Sequence, residues 1–220
     1  MSFTAIWLTI RLAAATAAIL LVLGLPLAWW LATTRRRWRF IIEALVAMPI
    51  ILPPTVIGFY LLIVLSPRGY IGSIIESLGI APLPFSFTGI LLGSVLFNLP
   101  FAVAPFKSAF ASIDRSYIEA ARGLGARLPR IATRIVLPLA WPGILTGIVL
   151  SFAHTIGEFG VVLMLGGNIP GATQTLSIMI YDDVQALNYT AAHQTSLMLL
   201  IFSFITLCGL YATQRRVLPI

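Results

Sequence analysis

The sequence has 220 residues, of which 59% are hydrophobic and only 10% are charged, and its mean hydropathy is +1.00. Soluble proteins contain about 25% charged residues, so this composition excludes a water-soluble globular domain and favours a bundle of membrane helices. The formal net charge of +7 is better explained by basic residues that orient membrane spans than by nucleic-acid binding, and we expect no nucleic-acid partner.

The apolar segments predict one all-α membrane domain over residues 1–220, with five spans. The first apolar run is too long to be the core of a cleavable signal peptide, so we interpret it as a permanent span. The second run contains Pro49, Pro53 and Pro54, which remove helical hydrogen bonds and should kink or break the helix. The predicted spans are about 12–32, 41–65, 88–106, 138–158 and 191–211.

Two regions between the spans are expected to stay outside the bilayer core. Residues 66–87 are rich in turn-forming residues and predict a short surface helix near 71–78. Residues 160–187 are mixed in polarity, with an amphipathic segment near 173–187. We interpret this second region as re-entrant or external rather than as a sixth span.

Orientation follows from the distribution of basic residues. Twelve of the 14 Lys and Arg residues lie in three segments, 34–39, 107–134 and the tail at 215–216. With five spans all three segments fall on one side, which the positive-inside rule assigns to the cytoplasm. The sequence therefore predicts an external N-terminus, a cytoplasmic C-terminus and a multi-pass protein of the cell membrane.

The longest cytoplasmic segment, here called the basic loop (108–137), has helix and turn signals. Ser116 and Glu119 have the spacing of a capping box, which predicts that Ser116 caps a short helix. Gly123 and Gly125 permit the positive φ that ends a helix or turns a corner. Pro129 suits the first turn of a second short helix that leads into span four.

The basic loop resembles the EAA loop of binding-protein-dependent ABC importer permeases. The matching positions are Glu119-Ala120-Ala121, then Gly125, and then Ile135-x-Leu137-Pro138. The resemblance implies an ABC importer type I-like permease whose basic loop docks onto a separate ATP-hydrolysing subunit. It implies that the coupling residues are Glu119, Ala120, Ala121, Gly123, Leu124 and Gly125.

The sequence contains no Walker-type glycine loop, so the ATPase is expected to be another chain. The resemblance implies a homodimeric permease with two ATP-binding cassette subunits and an external binding protein for the cargo. We expect no catalytic residue, metal or cofactor in this chain, with ATP-Mg bound on the partner subunit.

Within this family the resemblance narrows to molybdate importer permeases. It is carried by the segments at 52–60, 99–103, 110–114 and 157–181. Permeases for sulfate, thiosulfate or tungstate would share the mechanism and remain alternatives. From different classes, a secondary transporter driven by an ion gradient or a non-transporting membrane scaffold would leave the basic loop unexplained, and no convincing internal repeat supports the transporter.

Polar residues on spans three and four are candidates for the translocation path. They recur at steps of three or four along each helix, so they lie on one face beside glycines that permit close helix packing. A carboxylate facing the path would repel an anion, so Glu158 is expected to be paired, hydrogen-bonded or in contact with a partner protein. The candidates are Ser94, Asn98, Ser151, His154, Thr155 and Glu158.

The external region after span four is a candidate contact for the binding protein. Asn168 and Gln174 are the polar side chains that we select there. The spans contain no cluster of buried arginines that would hold a dianion firmly, so cargo selectivity is expected to reside mainly in the binding protein.

Overall fold

The computed structural model describes residues 3–217, with side chains described up to Thr213. The side chains of the basic tail at 215–216 therefore lie outside the described residues. Every regular element in the described part of the chain is helical. The elements are α1 (Phe3–Thr33), α2 (Arg39–Ile51), α3 (Pro54–Leu65), α4 (Tyr70–Ser77), α5 (Phe87–Ala111), α6 (Arg115–Gly123), α7 (Leu128–Ile131), a π-helical segment (Ala132–Val136), α8 (Leu137–Gly157), α9 (Gly160–Gly166), α10 (Leu176–Gln185) and α11 (Tyr189–Val217).

The core of the molecule is the packing of α1, α5 and α8 against one another. Glycines on α8 allow the close approach to α5 that brings the two backbones together. A Cβ at Gly147 would lie 2.5 Å from the Phe106 ring, and a Cβ at Gly143 would collide with Ala109. Phe106 is fully buried as a result. These two glycines of span four therefore serve helix packing, which is the role that the sequence predicted for them.

Within residues 3–217, four helices are long and apolar enough to cross a membrane: α1, α5, α11 and the continuous run from α7 to α8. The predicted second span is instead two helices, α2 and α3, bent by 113°. The prediction of a proline break is confirmed, because α2 ends shortly after Pro49 and α3 begins at Pro54. By length and composition alone, this pair is either one broken span or a re-entrant loop.

Contacts elsewhere in the molecule decide between these two descriptions. Lys107 near the end of α5 forms an ion pair with Glu43 at the start of α2, with 2.7 Å between Nζ and Oε1. One cavity is lined both by Arg35, just after α1, and by Arg122 in the basic loop. Helices α1 and α5 therefore end on the same side, here called the basic side. Since α5 begins on the opposite side, we infer that α2 and α3 together carry the chain across.

The region between α8 and α11 contains no further span. Helix α9 is seven residues long and folds back against α3 and α5, with Val161, Val162 and Leu165 fully buried. Helix α10 starts where the Leu176 N–H donates to Thr9 Oγ1 at 3.0 Å, which places it on the side opposite the basic side. The re-entrant interpretation agrees with this arrangement.

Candidate functional site

Helix α6 of the basic loop is capped by Asp114 rather than by Ser116. Asp114 Oδ1 accepts a hydrogen bond from the Ser116 backbone N–H at 2.9 Å, and this bond holds the pKa of the Asp114 carboxyl below its usual range. The predicted capping box at Ser116 and Glu119 is therefore wrong. An aspartate two residues upstream accepts from the first free N–H groups equally well, so the helix starts earlier.

The end of α6 is a Schellman turn. The Ala126 N–H donates to the Ala121 carbonyl at 3.0 Å and the Gly125 N–H donates to the Arg122 carbonyl at 2.9 Å, which is the paired pattern of this motif. Gly125 has φ of +77°. Gly123 is the last residue of α6 and does not have a positive φ, so the corner depends on Gly125 alone.

The second short helix, α7, has Pro129 in its first turn as predicted. It continues without a turn into the π-helical segment at Ala132–Val136 and then into α8. A π-helical segment is a local widening of the helix, often found at functional positions. The basic loop is thus joined to the fourth predicted span through one continuous helical path.

The six predicted coupling residues do not share one environment. Ala121 is buried against the core, where it anchors α6. Glu119 lies on the face of α6 that lines the cavity described above. Leu124, at the tip of the turn, is 89% exposed. Ala120, Gly123 and Gly125 are also exposed. Apart from Ala121, the predicted coupling residues are therefore exposed on the surface of the basic loop.

About midway along α5, Asn98 joins two predicted path residues. Its Nδ2 donates to Glu158 Oε2 at 3.0 Å and to the Ser94 carbonyl at 2.8 Å. Its Oδ1 lies 2.8 Å from His154 Nδ1. Asn98 is fully buried and Glu158 is only 4% exposed. These residues, with Ser94, form what we call the polar network.

The hydrogen bonds of Asn98 determine which ring nitrogen of His154 carries the proton. Because the amide nitrogen of Asn98 donates to Glu158, its oxygen must accept, and His154 Nδ1 therefore carries the proton. The His154 ring stacks on Phe101, with 3.9 Å between centroids. The Ser94 hydroxyl lies beside the Glu158 carboxyl, although neither it nor Glu158 Oε1 completes a hydrogen bond of good geometry among the described residues.

Glu158 occupies the break between α8 and α9, where the backbone turns away from the helix axis. Its φ and ψ of −68° and 130° are those of extended backbone. The polar network therefore ties this break to α5. The expectation that Glu158 is hydrogen-bonded agrees with the structure.

Ser151 and Thr155 are not members of the polar network. Ser151 Oγ donates to the Gly147 carbonyl and Thr155 Oγ1 donates to the Ser151 carbonyl, both at 2.7 Å. Both residues are buried within this chain. Each hydroxyl group therefore donates to a backbone carbonyl one turn earlier in its own helix, which is a common arrangement in membrane helices. Their assignment to a translocation path remains a prediction.

The loop at residues 166–175, which is predicted to be external and is here called the external loop, is held in shape by Asp182 of α10. Asn168 Nδ2 donates to both carboxylate oxygens of Asp182, at 3.0 and 2.8 Å. Gln174 Nε2 donates to Asp182 Oδ2 and to Asn168 Oδ1, both at 3.0 Å. The polar ends of both predicted contact residues are thus engaged within the chain, while Ile169 is 40% exposed at the loop surface.

Three residues that shape the candidate sites were missed by the sequence interpretation. Asp114 could have been recognised as a helix cap from its position before Arg115. Asp182 carries no local signal, because its partners lie eight and 14 residues away. Phe101 likewise contacts His154 only through the packing of α5 on α8.

Comparison with known proteins gives a consistent result. Residues 6–219 match the family model described as "Binding-protein-dependent transport system inner membrane component". The chain is 48% identical over 211 residues to the molybdenum transport system permease protein ModB of Azotobacter vinelandii, covering 96% of this chain and 93% of that protein. It is 30% identical over 207 residues to a probable sulfate transport system permease protein of Chlorella vulgaris, covering 94% and 77%.

The fold also matches solved structures. One is a bacterial alginate ABC transporter in complex with an alginate pentasaccharide-bound periplasmic protein, with a TM-score of 0.73 and 19% identity, covering 99% of this chain and 80% of that chain. At this identity the likeness concerns the fold alone.

Proposed function

This chain belongs to the family of binding-protein-dependent transport system inner membrane components, and from that premise we propose that it is the permease subunit of an ATP-driven molybdate importer. Its part in that machine is to provide alternating access for the oxyanion, while ATP-Mg is bound and hydrolysed on a separate subunit. The observation that carries the cargo assignment is the 48% identity to a molybdenum permease along nearly the whole chain.

Molybdate is favoured over related oxyanions by the difference between the two relatives. The identity to the sulfate permease is 30%, although the two proteins share the family and the arrangement of the basic loop would serve either cargo. Sulfate, thiosulfate and tungstate are tetrahedral anions of similar charge. They are therefore the alternatives that an uptake experiment must separate.

The exposed turn of the basic loop supports docking of an ATPase subunit. Gly125 and the Schellman hydrogen bonds hold Leu124 outward on an otherwise polar segment. A rigid apolar projection loses little conformational entropy when a partner groove closes around it. In the assembly that we propose, two copies of this chain and two ATPase subunits form the transporter, with an external molybdate-binding protein on the opposite side.

The distribution of charge supports the orientation of the molecule. Arg35, Arg115 and Arg122 meet at one cavity, so the basic segments converge on one end of the bundle. By the positive-inside rule this end is cytoplasmic, with the N-terminus outside and the C-terminus inside. The external loop then lies on the outer side, and the polar network lies about midway along α5.

The external loop is the part of this outer surface that best suits a binding protein. Asp182 fixes the loop, so Asn168 and Gln174 act by holding its shape, and the exposed Ile169 beside them is available for contact. The polar network holds the α8–α9 break deeper in the bundle, about midway along α5. None of these groups is cationic, which suits a permease that passes its cargo on rather than retaining it.

Coupling is tested by co-isolation of the ATPase subunit. Replacing Glu119 by arginine or Gly125 by aspartate should abolish co-isolation and molybdate uptake. The matched control is Glu76→Arg, which makes the same charge change at an exposed position of α4. If both basic-loop variants retain the ATPase subunit and uptake, the coupling assignment is wrong. If instead no ATPase subunit co-isolates with the wild-type permease, a transporter driven by an ion gradient becomes the better explanation.

Cargo is tested in a strain that lacks this permease. Activity of a molybdenum-dependent enzyme should fall, and it should recover with excess external molybdate or with the restored gene. Growth on limiting sulfate should be unaffected. A requirement for an alternative sulfur source, with normal molybdenum-dependent activity, would instead identify a sulfate or thiosulfate permease.

A further inference from the structure

A cavity of about 490 Å³ opens at the basic side, between the end of α1 and the basic loop. Three guanidinium groups line it, those of Arg35, Arg115 and Arg122, together with one carboxylate, Glu119. The cavity therefore has an excess of two positive charges. Nothing in the coupling assignment uses these three arginines together.

The three arginines have no anionic partner in the described part of the chain. The ion pairs there all involve Glu43, which pairs with Lys107 and Arg39. Glu119 lines the same cavity but lies beyond ion-pair distance of every described arginine. Converging unpaired guanidinium groups favour a phosphate-class anion, because their planar donors match its oxygens in pairs.

The other wall of the cavity is apolar. Trp29, near the end of α1, packs edge-to-face on Phe110 with 5.2 Å between ring centroids. Ile131 and Val136, which lie around the π-helical segment, are buried beside it. Tryptophan at the end of a span is typical of the membrane interface. The cavity thus spans the boundary between hydrocarbon and the charged surface.

We propose that this cavity binds the headgroup of an anionic phospholipid from the cytoplasmic leaflet, with the phosphodiester on the arginines and the start of an acyl chain on the apolar wall. A small free oxyanion would leave the apolar wall and most of the volume unfilled. Basic pockets between spans on the cytoplasmic side commonly hold such headgroups. The proposal takes only the cytoplasmic placement from the proposed function.

The site would place a lipid directly against helix α6. Arg115 and Arg122 belong to the same face of α6 as Glu119, whereas Leu124 at the tip is exposed away from the cavity. Glu119 is therefore shared by the cavity and the coupling assignment, whereas the arginines belong to the cavity and Leu124 belongs to the exposed turn. Substitution of the arginines separates lipid binding from ATPase docking.

Lipid binding is measured by native mass spectrometry of the full-length permease titrated with phosphatidylglycerol, phosphatidylcholine or inorganic phosphate. We expect phosphatidylglycerol to bind in preference to phosphatidylcholine. Since one basic residue at a membrane surface changes binding about fivefold, the variant R115Q/R122Q should bind phosphatidylglycerol about 25-fold more weakly. The control is Arg37→Gln, which removes one charge from the basic segment at 35–39 at a position outside the cavity.

A second variant protects the test against a folding defect. Glu119→Gln removes the one negative charge of the cavity and should strengthen phosphatidylglycerol binding several-fold, a change that misfolding does not produce. Equal binding of the two lipids, or an equal loss in Arg37→Gln, would overturn the proposal. Binding of inorganic phosphate with the same arginine dependence, but not of phosphatidylglycerol, would identify a free-anion site instead.

The remaining alternative is that the arginines serve the ATPase subunit. If R115Q/R122Q leaves phosphatidylglycerol binding unchanged but abolishes co-isolation of that subunit, the lipid proposal is wrong and the cavity belongs to the docking surface. None of these measurements depends on molybdate uptake. Failure of the lipid site would thus leave the proposed transport function untouched.

Discussion

Alanine at Gly125 should weaken ATPase docking, whereas alanine at Gly123 should not. Gly125 has φ of +77°, a left-handed conformation that costs other L-residues roughly 1–2 kcal/mol. Gly123 ends helix α6, where alanine is better than glycine by up to about 1 kcal/mol. A Cβ added at either position meets no atom within 4 Å. The two substitutions therefore differ only in backbone energy.

Backbone strain at position 125 should lower the affinity of the permease for the ATPase subunit. If the docking conformation is less populated by roughly 1–2 kcal/mol, the apparent Kd for the ATPase subunit rises about five- to thirtyfold. Asparagine tolerates the left-handed region better than alanine does. Gly125→Asn should therefore recover part of the lost affinity, even though its side chain is larger.

The assay is binding of the purified ATPase subunit to the permease in nanodiscs, with molybdate-stimulated ATP hydrolysis measured in parallel. The expected order of affinity is wild type and Gly123→Ala together, then Gly125→Asn, then Gly125→Ala. Equal losses at positions 123 and 125 would refute the reasoning, because they would indicate a steric clash with the partner rather than backbone strain.

Three further outcomes follow from the packing and the polar groups. Asn98→Leu should lower the free energy of unfolding by about 3 kcal/mol, measured by thermal unfolding, because it leaves buried polar groups unpaired. Adding Glu158→Leu should recover part of this loss. Gly147→Leu should lower stability by about 1–3 kcal/mol through overpacking, whereas Gly209→Leu, where a Cβ meets nothing within 4 Å, should be neutral by the same measurement. Asp182→Ala should reduce the stimulation of ATP hydrolysis by the binding protein and leave the basal hydrolysis rate unchanged; equal effects on both rates would contradict a role confined to the external loop.

Much of the fold could be predicted because a membrane span is encoded locally. A long apolar run must be helical in lipid, where every backbone hydrogen bond has to be satisfied within the segment. The break near Pro53 and the corner at Gly125 are equally local, since each depends on the chemistry of one or two residues. These features were therefore readable from the sequence without any knowledge of packing.

The polar network could be predicted only in part. The spacing placed His154 and Glu158 on one face of a helix. The hydrogen bonds that join both residues to Asn98 depend, however, on the relative rotation of α5 and α8 about their axes. That rotation is set by tight contacts such as Gly147 on Phe106, which no periodicity shows. The same reason explains why Asp182 was missed, since its partners are brought to it by the fold of the external loop.

The continuity of one helical path gives the two ends of the molecule a physical connection. Two residues separate the elbow at Gly125 from α7, and α7 then leads through the π-helical segment into α8 with no loop between these three helical segments. Helix α8 is packed on α5 along its glycines and ends at Glu158, where the polar network joins it to α5 again. A displacement of the elbow is therefore delivered along α8 either as a rigid shift of the whole helix or as a change at its widest point, Ala132–Val136. Because the Gly147 contact with Phe106 leaves little room to slide, we expect the π-helical segment to absorb small movements and the Asn98 bonds to yield only to larger ones.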